Sequence, residues 1–446
     1  MYQGPKAPVR TAGPAALSSE PRDEVARGRS SEELKQAMIE QLFRSDLTEI
    51  ELWRQRIPEG AQAPPAVGPQ GQLAIVHKSG VTLLDANGTI RKSFGREYLE
   101  VNARPVFDED GKLYVSGYLK PGLTAYSPDG EKLWELQEPY HYTSRVSPVL
   151  RGDRIYFAEG TGQLKVFDRT GKFQGSSDTQ DSHRVGAQLY GLRVAEDGTA
   201  FTVGHEGQLS AVRNDHMLWA RSGREGARLG SNVTFLGNGD LLYCDRQGHL
   251  QRVTSSGQPV WRFSWWDKKL FSQLGEEERT RAEGLNLHYG FGSTPVLSPD
   301  GKRVYVGRRD LFGSPEPSLT ALTTEGEHLW TVPLQLGDSV GPENVQVDSK
   351  GFLYVGGEYG NTVQCLSPEG QILWTFRSAS RTGRLSLGLH RDVLYLSTES
   401  GWVHALSRDA VQRRIAEMKD EGAPPTIWVE EDRVHVGGVT LPRRKS

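Results

Sequence analysis

The feature that most constrains this chain is a phrase that occurs eight times along it. Its fullest copy is DGKLYVSG at 110–117, followed by LTAY at 123–126 and GEKLW at 130–134. Similar copies start near 300 and 351, and weaker ones centre on 73–76, 155–157, 200–203, 241–243 and 393–396. Most copies are spaced by about 40 to 50 residues, as in repeats that form the blades of propellers.

The chemistry of the phrase indicates short strands joined by tight turns. Pairs such as Asn87-Gly88 and Asp129-Gly130 supply the positive φ that hairpin turns need. The short apolar runs between the turns are typical of strands buried between neighbouring sheets. One blade cannot cover both of its faces, so blades stack until a ring closes. We therefore predict an all-β fold, an eight-bladed β-propeller of four-stranded antiparallel blades at 50–408.

The two ends of this region predict how the ring closes. The eighth copy passes through 403–406 without a following Leu-Trp strand, whereas an unmatched phrase, ELWRQRI at 51–57, precedes the first blade. We expect this N-terminal strand to complete the last blade. The tail at 409–446 predicts a helix followed by a hairpin with strands at 426–429 and 434–436. A ninth blade built from this tail is the alternative.

The order of DGxLYVxG, LxAL and GxxLW resembles the repeat of the pyrroloquinoline-quinone-like (quinoprotein-type) β-propeller superfamily over about residues 50–408. That superfamily includes quinone-dependent dehydrogenases, the propeller subunit of outer-membrane assembly and many non-enzymatic binding modules. The chain lacks the adjacent cysteines and the Cys-x-x-Cys-His haem motif of the dehydrogenases, since its two cysteines are Cys244 and Cys365. The resemblance therefore implies the non-catalytic branch, and we expect no cofactor.

In such a ring, the connections from one blade to the next gather around one mouth of the central channel. Here they are rich in aromatic, arginine, histidine and amide side chains, several of which are enriched at interface hot spots. The plainer interpretation is that they are ordinary polar loop groups. The candidate binding residues are Tyr98, Tyr140, His141, Tyr142, Arg145, His183, Arg184, Tyr190, Arg228, Asn232, Trp265, Trp266, His288, Tyr289, Glu343, Asn344, Arg381 and Arg384.

Two further features bear on the mouth. The connection at 264–293 is longer than compact folds usually contain, which favours a lid or a docking surface over an insertion without a role. His141, His183 and His288 would be metal ligands if they met at one point. Because scattered histidines are more often structural, we expect no metal.

The N-terminal region divides into two parts. Residues 1–29 are rich in Pro, Gly, Ala and Arg, which predicts disorder. The sequence SSEE at 30–33 has the form of a capping box and predicts a helix at 30–46. Its apolar stripe must be covered, either by the propeller or in the groove of a partner. The stripe consists of Leu34, Met38, Ile39, Leu42 and Phe43.

Composition and motifs then restrict the function. With 53 basic and 56 acidic residues, the net charge of −3 does not suit a general nucleic-acid binder. No phosphate-binding loop, nucleophile elbow or His-Glu-x-x-His motif occurs. The absence of an apolar leader and of long apolar runs predicts a cytoplasmic protein with no membrane partner.

We predict a non-enzymatic binding scaffold, or a subunit of a bacterial-type complex, that recognises a protein partner through the mouth loops and the N-terminal helix. A small-molecule ligand is compatible with the same mouth. The alternatives are a small-molecule or glycan enzyme of the propeller lyase or lactonase type, or a metabolite sensor, with its site at the channel mouth.

Overall fold

The computed structural model describes residues 51–57, 59–94, 103–116, 122–136, 146–158, 162–179, 189–204, 207–222, 226–227, 231–245, 248–264, 291–308, 317–336, 340–357, 362–378, 385–410, 426–429, 433–436 and 439–442, the last three ranges as backbone alone. The predicted disordered segment at 1–29 and the predicted helix at 30–46 lie outside the described residues. So do most of the 264–293 insertion and most of the predicted C-terminal helix.

The described strands form eight sheets, and the first strand, β1 (Glu51–Arg56), belongs to the last of them. Blade 1 contains β2 (Ala66–Val67), β3 (Leu73–His77), β4 (Gly80–Leu84) and β5 (Ile90–Phe94), and blade 2 contains β6 (Val106–Phe107), β7 (Leu113–Ser116), β8 (Leu123–Tyr126) and β9 (Lys132–Glu135). Blade 3 contains β10 (Val149–Arg151), β11 (Arg154–Ala158), β12 (Leu164–Asp168) and β13 (Phe173–Ser177), and blade 4 contains β14 (Leu189–Val194), β15 (Ala200–Gly204), β16 (Leu209–Arg213) and β17 (His216–Arg221).

The second half of the ring continues the pattern. Blade 5 contains β18 (Thr234–Phe235), β19 (Leu241–Cys244), β20 (Leu250–Val253) and β21 (Pro259–Phe263), and blade 6 contains β22 (Val296–Leu297), β23 (Arg303–Gly307), β24 (Ser318–Thr323) and β25 (His328–Pro333). Blade 7 contains β26 (Val340–Val347), β27 (Leu353–Gly357), β28 (Thr362–Leu366) and β29 (Ile372–Ser378), extended by β33 (Thr426–Val429), β34 (Arg433–Val436) and β35 (Val439–Pro442). Blade 8 contains β30 (Leu385–His390), β31 (Val393–Thr398), β32 (Trp402–Ser407) and β1.

The predicted eight-bladed propeller is confirmed: each blade is a four-stranded antiparallel sheet ordered from the channel outwards, and one blade is extended. The alternation of strand direction gives the ring two faces. The turns that join the first to the second strand and the third to the fourth lie on one face, which we call the turn face. The other turns and the connections between blades lie on the mouth face.

The N-terminal strand closes the ring, as predicted. It pairs antiparallel with β32 and so becomes the outer strand of blade 8. Polar contacts reinforce the pairing: His404 Nδ1 lies 3.0 Å from Glu51 Oε1. The guanidinium groups of Arg54 and Arg56 lie 5.1 and 5.7 Å from the centre of the Trp402 ring. Closure therefore combines backbone pairing with charge and cation–π contacts.

Neighbouring blades are joined by a recurring contact that we call the tryptophan clamp. Trp330 of β25 donates its indole N–H to the Pro368 carbonyl of blade 7 at 3.2 Å. Its ring lies against Gly370, where φ is +88° and an added Cβ would be 2.8 Å from the ring. Only glycine accepts both conditions without strain. The same arrangement joins Trp53 to Ala86 and Gly88, Trp134 to Arg169 and Gly171, Trp219 to Ser255 and Gly257, and Trp261 to Thr324 and Gly326.

At two of the eight junctions another residue stands in place of the tryptophan, and at the junction between blades 7 and 8 the tryptophan, Trp374, does not make the clamp hydrogen bond within the part of the chain that the structure describes. Between blades 1 and 2, Lys92 occupies the position of the tryptophan, and its Nζ lies 2.5 Å from Glu131 Oε1. Between blades 3 and 4 the position is Gly175, where an added Cβ would be 3.2 Å from the Asp215 carboxylate. Asp215 belongs to a tight turn and has a φ of 65°. The repeat is therefore uneven at its outer edge.

Blade 7 carries the C-terminal strands. Strand β33 pairs in parallel with β29, and β34 and β35 follow it in antiparallel order. The tail therefore extends blade 7 instead of forming a ninth blade, and it adds one strand to the predicted hairpin. Trp374 of β29 is 1% exposed, and among the described residues its indole N–H has no acceptor.

The turn face is held by buried aspartates. Asp108 Oδ2 accepts a hydrogen bond from the Tyr114 hydroxyl at 3.1 Å, and Asp348 Oδ2 accepts one from Tyr354 at the same distance. Burial, followed by the Asp108 charge, raises the pKa of Tyr114 to about 12. After β32 the chain enters a helical turn at 408–410, where Arg408 Nε lies 3.3 Å from Asp348 Oδ2. Asp348 therefore links blade 7 to the end of blade 8.

Replacing Trp330 with alanine tests the clamp. The change removes a half-buried ring and an interblade hydrogen bond, so we expect a loss of about 3 kcal/mol of unfolding free energy, measured by urea denaturation. The matched control is Leu329→Ala, because Leu329 is the neighbouring residue and is 41% exposed. A loss for Trp330→Ala no larger than that for Leu329→Ala would contradict the clamp.

Shortening the chain tests closure. A chain that begins at residue 47 keeps β1, and one that begins at residue 57 loses it. We expect only the second to melt lower than the full chain, by more than about 5 °C, because blade 8 then lacks its outer strand. A peptide of residues 49–58 should restore part of the difference by strand addition. Equal melting of the two chains would exclude a stabilising role for β1.

Candidate functional site

Most predicted mouth residues lie outside the described part of the chain. These are Tyr98, Tyr140, His141, Tyr142, Arg145, His183, Arg184, Arg228, Trp265, Trp266, His288, Tyr289, Arg381 and Arg384, together with the helix residues Leu34, Met38, Ile39, Leu42 and Phe43. Four predicted residues are described: Tyr190, Asn232, Glu343 and Asn344. All four lie on or next to the inner strands, which line the channel.

Irregularities in the inner strands position three of them. The register of β14 shifts at Tyr190, which is the extra residue of a β-bulge. The register of β26 shifts between Val340 and Val345, and this stretch contains Glu343 and Asn344. A bulge re-aims side chains because it breaks their regular alternation between the two faces of the sheet. Both bulges lie in inner strands, so the residues in them are not constrained by regular strand pairing next to the channel.

The two amides are structural supports. Asn344 is 7% exposed, and its Nδ2 donates to the Gly357 carbonyl at 3.0 Å. Asn232 is equally buried: its Oδ1 accepts a hydrogen bond from the Val233 N–H at 3.2 Å, and its backbone N–H donates to Thr294 Oγ1 of the next blade at 2.9 Å. These contacts fix the inner strands of blades 5, 6 and 7. They leave Tyr190 and Glu343 as the partly exposed members of the described set.

Glu343 meets two arginines that come from distant blades. Arg104 precedes β6 in blade 2, and its Nη2 lies 3.9 Å from Glu343 Oε2 in blade 7. Three junctions separate these blades around the ring, so the side chains meet across the channel. Arg193 of β14 in blade 4 interacts electrostatically with both. We call Arg104, Arg193 and Glu343 the channel charge cluster.

The electrostatics of the cluster follow from burial in a narrow passage. Burial lowers the pKa of the Arg193 guanidinium, the Glu343 carboxylate opposes this shift, and Arg104 adds to it. The Arg193 side chain keeps part of its surface exposed, but the protein atoms around its guanidinium group exclude much of the surrounding water. Its Nη1 donates to the Leu192 carbonyl at 3.1 Å. Two cations and one anion leave one unit of excess positive charge among the described members.

The sequence analysis did not single out Arg104 or Arg193. A signal was present in the aligned blades, because Arg104 occupies the position held by Ser147, Asn232 and Thr294 elsewhere. Arg193 pairs with the second strand at a position held by valine in three other blades. A charged residue among small or apolar equivalents indicates a local role.

The described histidine network on the mouth face does not have the geometry of a hydrolase. His77 Nδ1 lies 3.3 Å from Ser79 Oγ and 3.5 Å from Glu59 Oε2, while its Nε2 lies 3.0 Å from Thr82 Oγ1. A catalytic relay needs an accessible nucleophile on the ring nitrogen opposite the acid. Ser79 shares Nδ1 with Glu59, and Thr82, on the opposite nitrogen, is fully buried. The network therefore holds the β3–β4 turn. No group of three or more His, Cys, Asp or Glu in the described ranges could hold a metal ion.

A cavity of about 800 Å³ opens on the turn face between blades 4 and 5. Trp219, Phe201 and Phe235 line it together with Arg151 and Arg213. Both arginines are engaged within the protein: Arg213 Nη1 lies 2.6 Å from the Asp197 carboxylate, and Arg151 Nη2 donates to the Val194 carbonyl at 2.7 Å. The channel charge cluster is the better candidate because its long contact leaves guanidinium donors available.

The His77 network predicts a dependence of stability on pH. Burial lowers the pKa of the imidazole, although Glu59 opposes this. The unfolded chain then binds the proton more tightly than the folded chain does. Protonation of His77 therefore does not reduce the unfolding free energy above about pH 6.5, and it reduces it increasingly as the pH falls below that value. We expect His77→Gln to flatten the decline in melting temperature between about pH 7 and pH 5. An unchanged decline would show that His77 does not contribute.

The comparisons with known proteins agree on the fold. A family model described as outer membrane protein assembly factor BamB matches residues 45–255 and 246–414. BamB from Moraxella catarrhalis is 15% identical with a TM-score of 0.57, over 80% of this chain and 99% of that one. The computationally designed Ika8 protein is 13% identical with a TM-score of 0.60, over the same shares. At these identities the two structures support the fold alone. No curated protein matches the chain.

The prediction of a cytoplasmic location is wrong. The matching family is described by a role in assembly at the outer membrane, which points away from the cytoplasm. The prediction depended on the absence of an apolar leader, and such an absence does not decide the compartment. In the described part of the chain, no helix is long and apolar enough to cross a membrane.

Proposed function

The chain belongs to the family of the outer membrane protein assembly factor BamB, and we propose that it is a protein-binding scaffold that acts in outer-membrane assembly. The observation that carries this proposal is the extent of the match, which runs from residue 45 to residue 414 and so includes β1 and every blade. A match to the repeat alone would support only the fold.

The mouth face is the proposed docking surface. It collects the connections between blades, and the bulges of β14 and β26 present Tyr190 and Glu343 to the channel. Tyrosine supplies a large contact area with little loss of conformational entropy, which is why it is frequent at interface hot spots. The predicted residues of the mouth connections are proposed as further contacts.

Rigidity supports a scaffold role. The tryptophan clamps fix neighbouring blades, so the inner strands that carry Tyr190 and Glu343 belong to a frame that does not need to reorganise on binding. A preorganised surface loses less entropy when a partner docks, and more of the contact energy appears as affinity. We propose that the protein is not an enzyme, in agreement with the structural role of the His77 network.

Site-specific photo-crosslinking tests the docking face. A photoreactive amino acid replaces Tyr190 on the mouth face or Lys172 on the turn face of the full chain, in bacteria that have an outer membrane. We expect crosslinks to an outer-membrane assembly protein from position 190 and not from position 172. Crosslinks to that protein from position 172 alone, or from neither position, would contradict docking through the mouth.

The predicted N-terminal helix is proposed as a second docking element. The same crosslinking is repeated with a chain that begins at residue 47, which keeps β1 and removes the helix. A lower crosslink yield from position 190 in the shortened chain would support the helix as a docking element. An unchanged yield would restrict docking to the propeller.

A further inference from the structure

We propose that the channel charge cluster receives a carboxylate from an acidic segment of the protein partner. This inference rests on the proposed function, because it assigns a chemical identity to what the partner presents at the mouth. The ligand group is an Asp or Glu side chain, or a chain terminus, that enters the channel from the mouth face.

The first support is the placement of the cluster. Arg104 lies at the mouth end of β6, and Glu343 lies in the irregular part of β26. The Arg104 side chain is 31% exposed and that of Glu343 is 40% exposed, although Arg104 Nε and Nη2 themselves are covered in the free protein. The members belong to blades 2, 4 and 7: Arg104 and Glu343 form the 3.9 Å contact, and Arg193 adds its charge to it.

The second support is the unused hydrogen-bonding capacity of Arg104. A guanidinium has five N–H donors in a planar fork. Arg104 Nε and Nη2 have no hydrogen-bond partner among the described residues, although both atoms are buried. The 3.9 Å contact with Glu343 is longer than a hydrogen bond. A carboxylate that displaces Glu343 from this edge of the guanidinium matches the fork in a bidentate arrangement, which supplies both affinity and orientation.

The third support is the charge balance. Arg104 and Arg193 carry two positive charges, and Glu343 carries one negative charge, so an incoming carboxylate would neutralise the cluster. Arg193 is desolvated by the channel wall, which strengthens its attraction to an anion because less water screens the charge. In the free protein, Glu343 acts as an internal competitor for the arginines.

Because Glu343 competes with the ligand, substitutions at Glu343 and at the arginines should change the affinity for an acidic peptide in opposite directions. Removing an arginine weakens binding of an acidic peptide, whereas removing the Glu343 charge strengthens it. A loss of binding in a damaged variant has many causes, but a gain has few. Glu343→Gln therefore keeps the inference testable even if an arginine variant folds poorly.

The experiment measures binding of a fluorescently labelled, C-terminally amidated tetraglutamate peptide to the full chain by fluorescence anisotropy, at low ionic strength. We expect Arg104→Gln and Arg193→Gln each to weaken binding about fivefold or more, in the range of a charge-assisted hydrogen bond. Glu343→Gln should tighten it about threefold or more. Arg213→Gln on the turn face is the matched control and should bind like the parent chain, and a tetralysine peptide should not bind.

The inference would be overturned by equal binding of the peptide by the parent and all variants, by weaker binding by Glu343→Gln, or by no binding of the acidic peptide. Free glutarate binding the parent chain as tightly as the peptide would assign the cluster to a small acid instead, and would also overturn it. Crosslinking from position 190 separates the two proposals. If position 190 crosslinks to the partner but the arginine substitutions do not change peptide binding, the scaffold function stands and only the proposed carboxylate site is rejected.

Discussion

The contact between a tryptophan ring and a glycine of the next blade underlies the rest of this structure. The ring takes the space that a side chain would fill at Gly370 or Gly257, and the indole N–H donates to a turn carbonyl of the same neighbouring blade. Repetition of this contact sets the distance and the angle between blades. Those values in turn fix the channel, where groups from blades 2, 4 and 7 meet.

The outer and inner edges of the ring follow different rules. Six of the eight outer strands carry a tryptophan at the clamp position, and the other two carry Lys92, which pairs with Glu131, and Gly175. The inner strands are irregular: β14 and β26 carry bulges, and arginines replace small or apolar residues. Repeats that agree at every level specify a fold, and local departures from the repeat concentrate where a protein acts. The position of the charge cluster follows this division.

The sequence predicted the ring because the turn pairs and the Leu-Trp ends repeat within each blade, and it predicted β1 because ELWRQRI had no partner nearby. It did not predict the cluster. Arg104 and Glu343 are separated by more than half of the chain and become neighbours only when the ring closes. Asn232 and Asn344 illustrate a second limit, since an amide near a loop has the same sequence signal whether it faces a ligand or supports a strand. The parallel pairing of β33 with β29 depends on an exposed edge that no local pattern marks.

The use of β1 in blade 8 has a consequence for how the protein is made. A ribosome synthesises this strand before any blade, yet its partner β32 emerges some 350 residues later. During that time the strand has an open edge, and open apolar edges pair with other chains. The sequence of β1 reduces this risk, because Glu51, Arg54 and Arg56 place charges along a strand that stays unpaired until β32 is made. Such charges oppose aggregation. The same residues later contact His404 and Trp402, so the groups that protect the nascent strand also secure the finished ring.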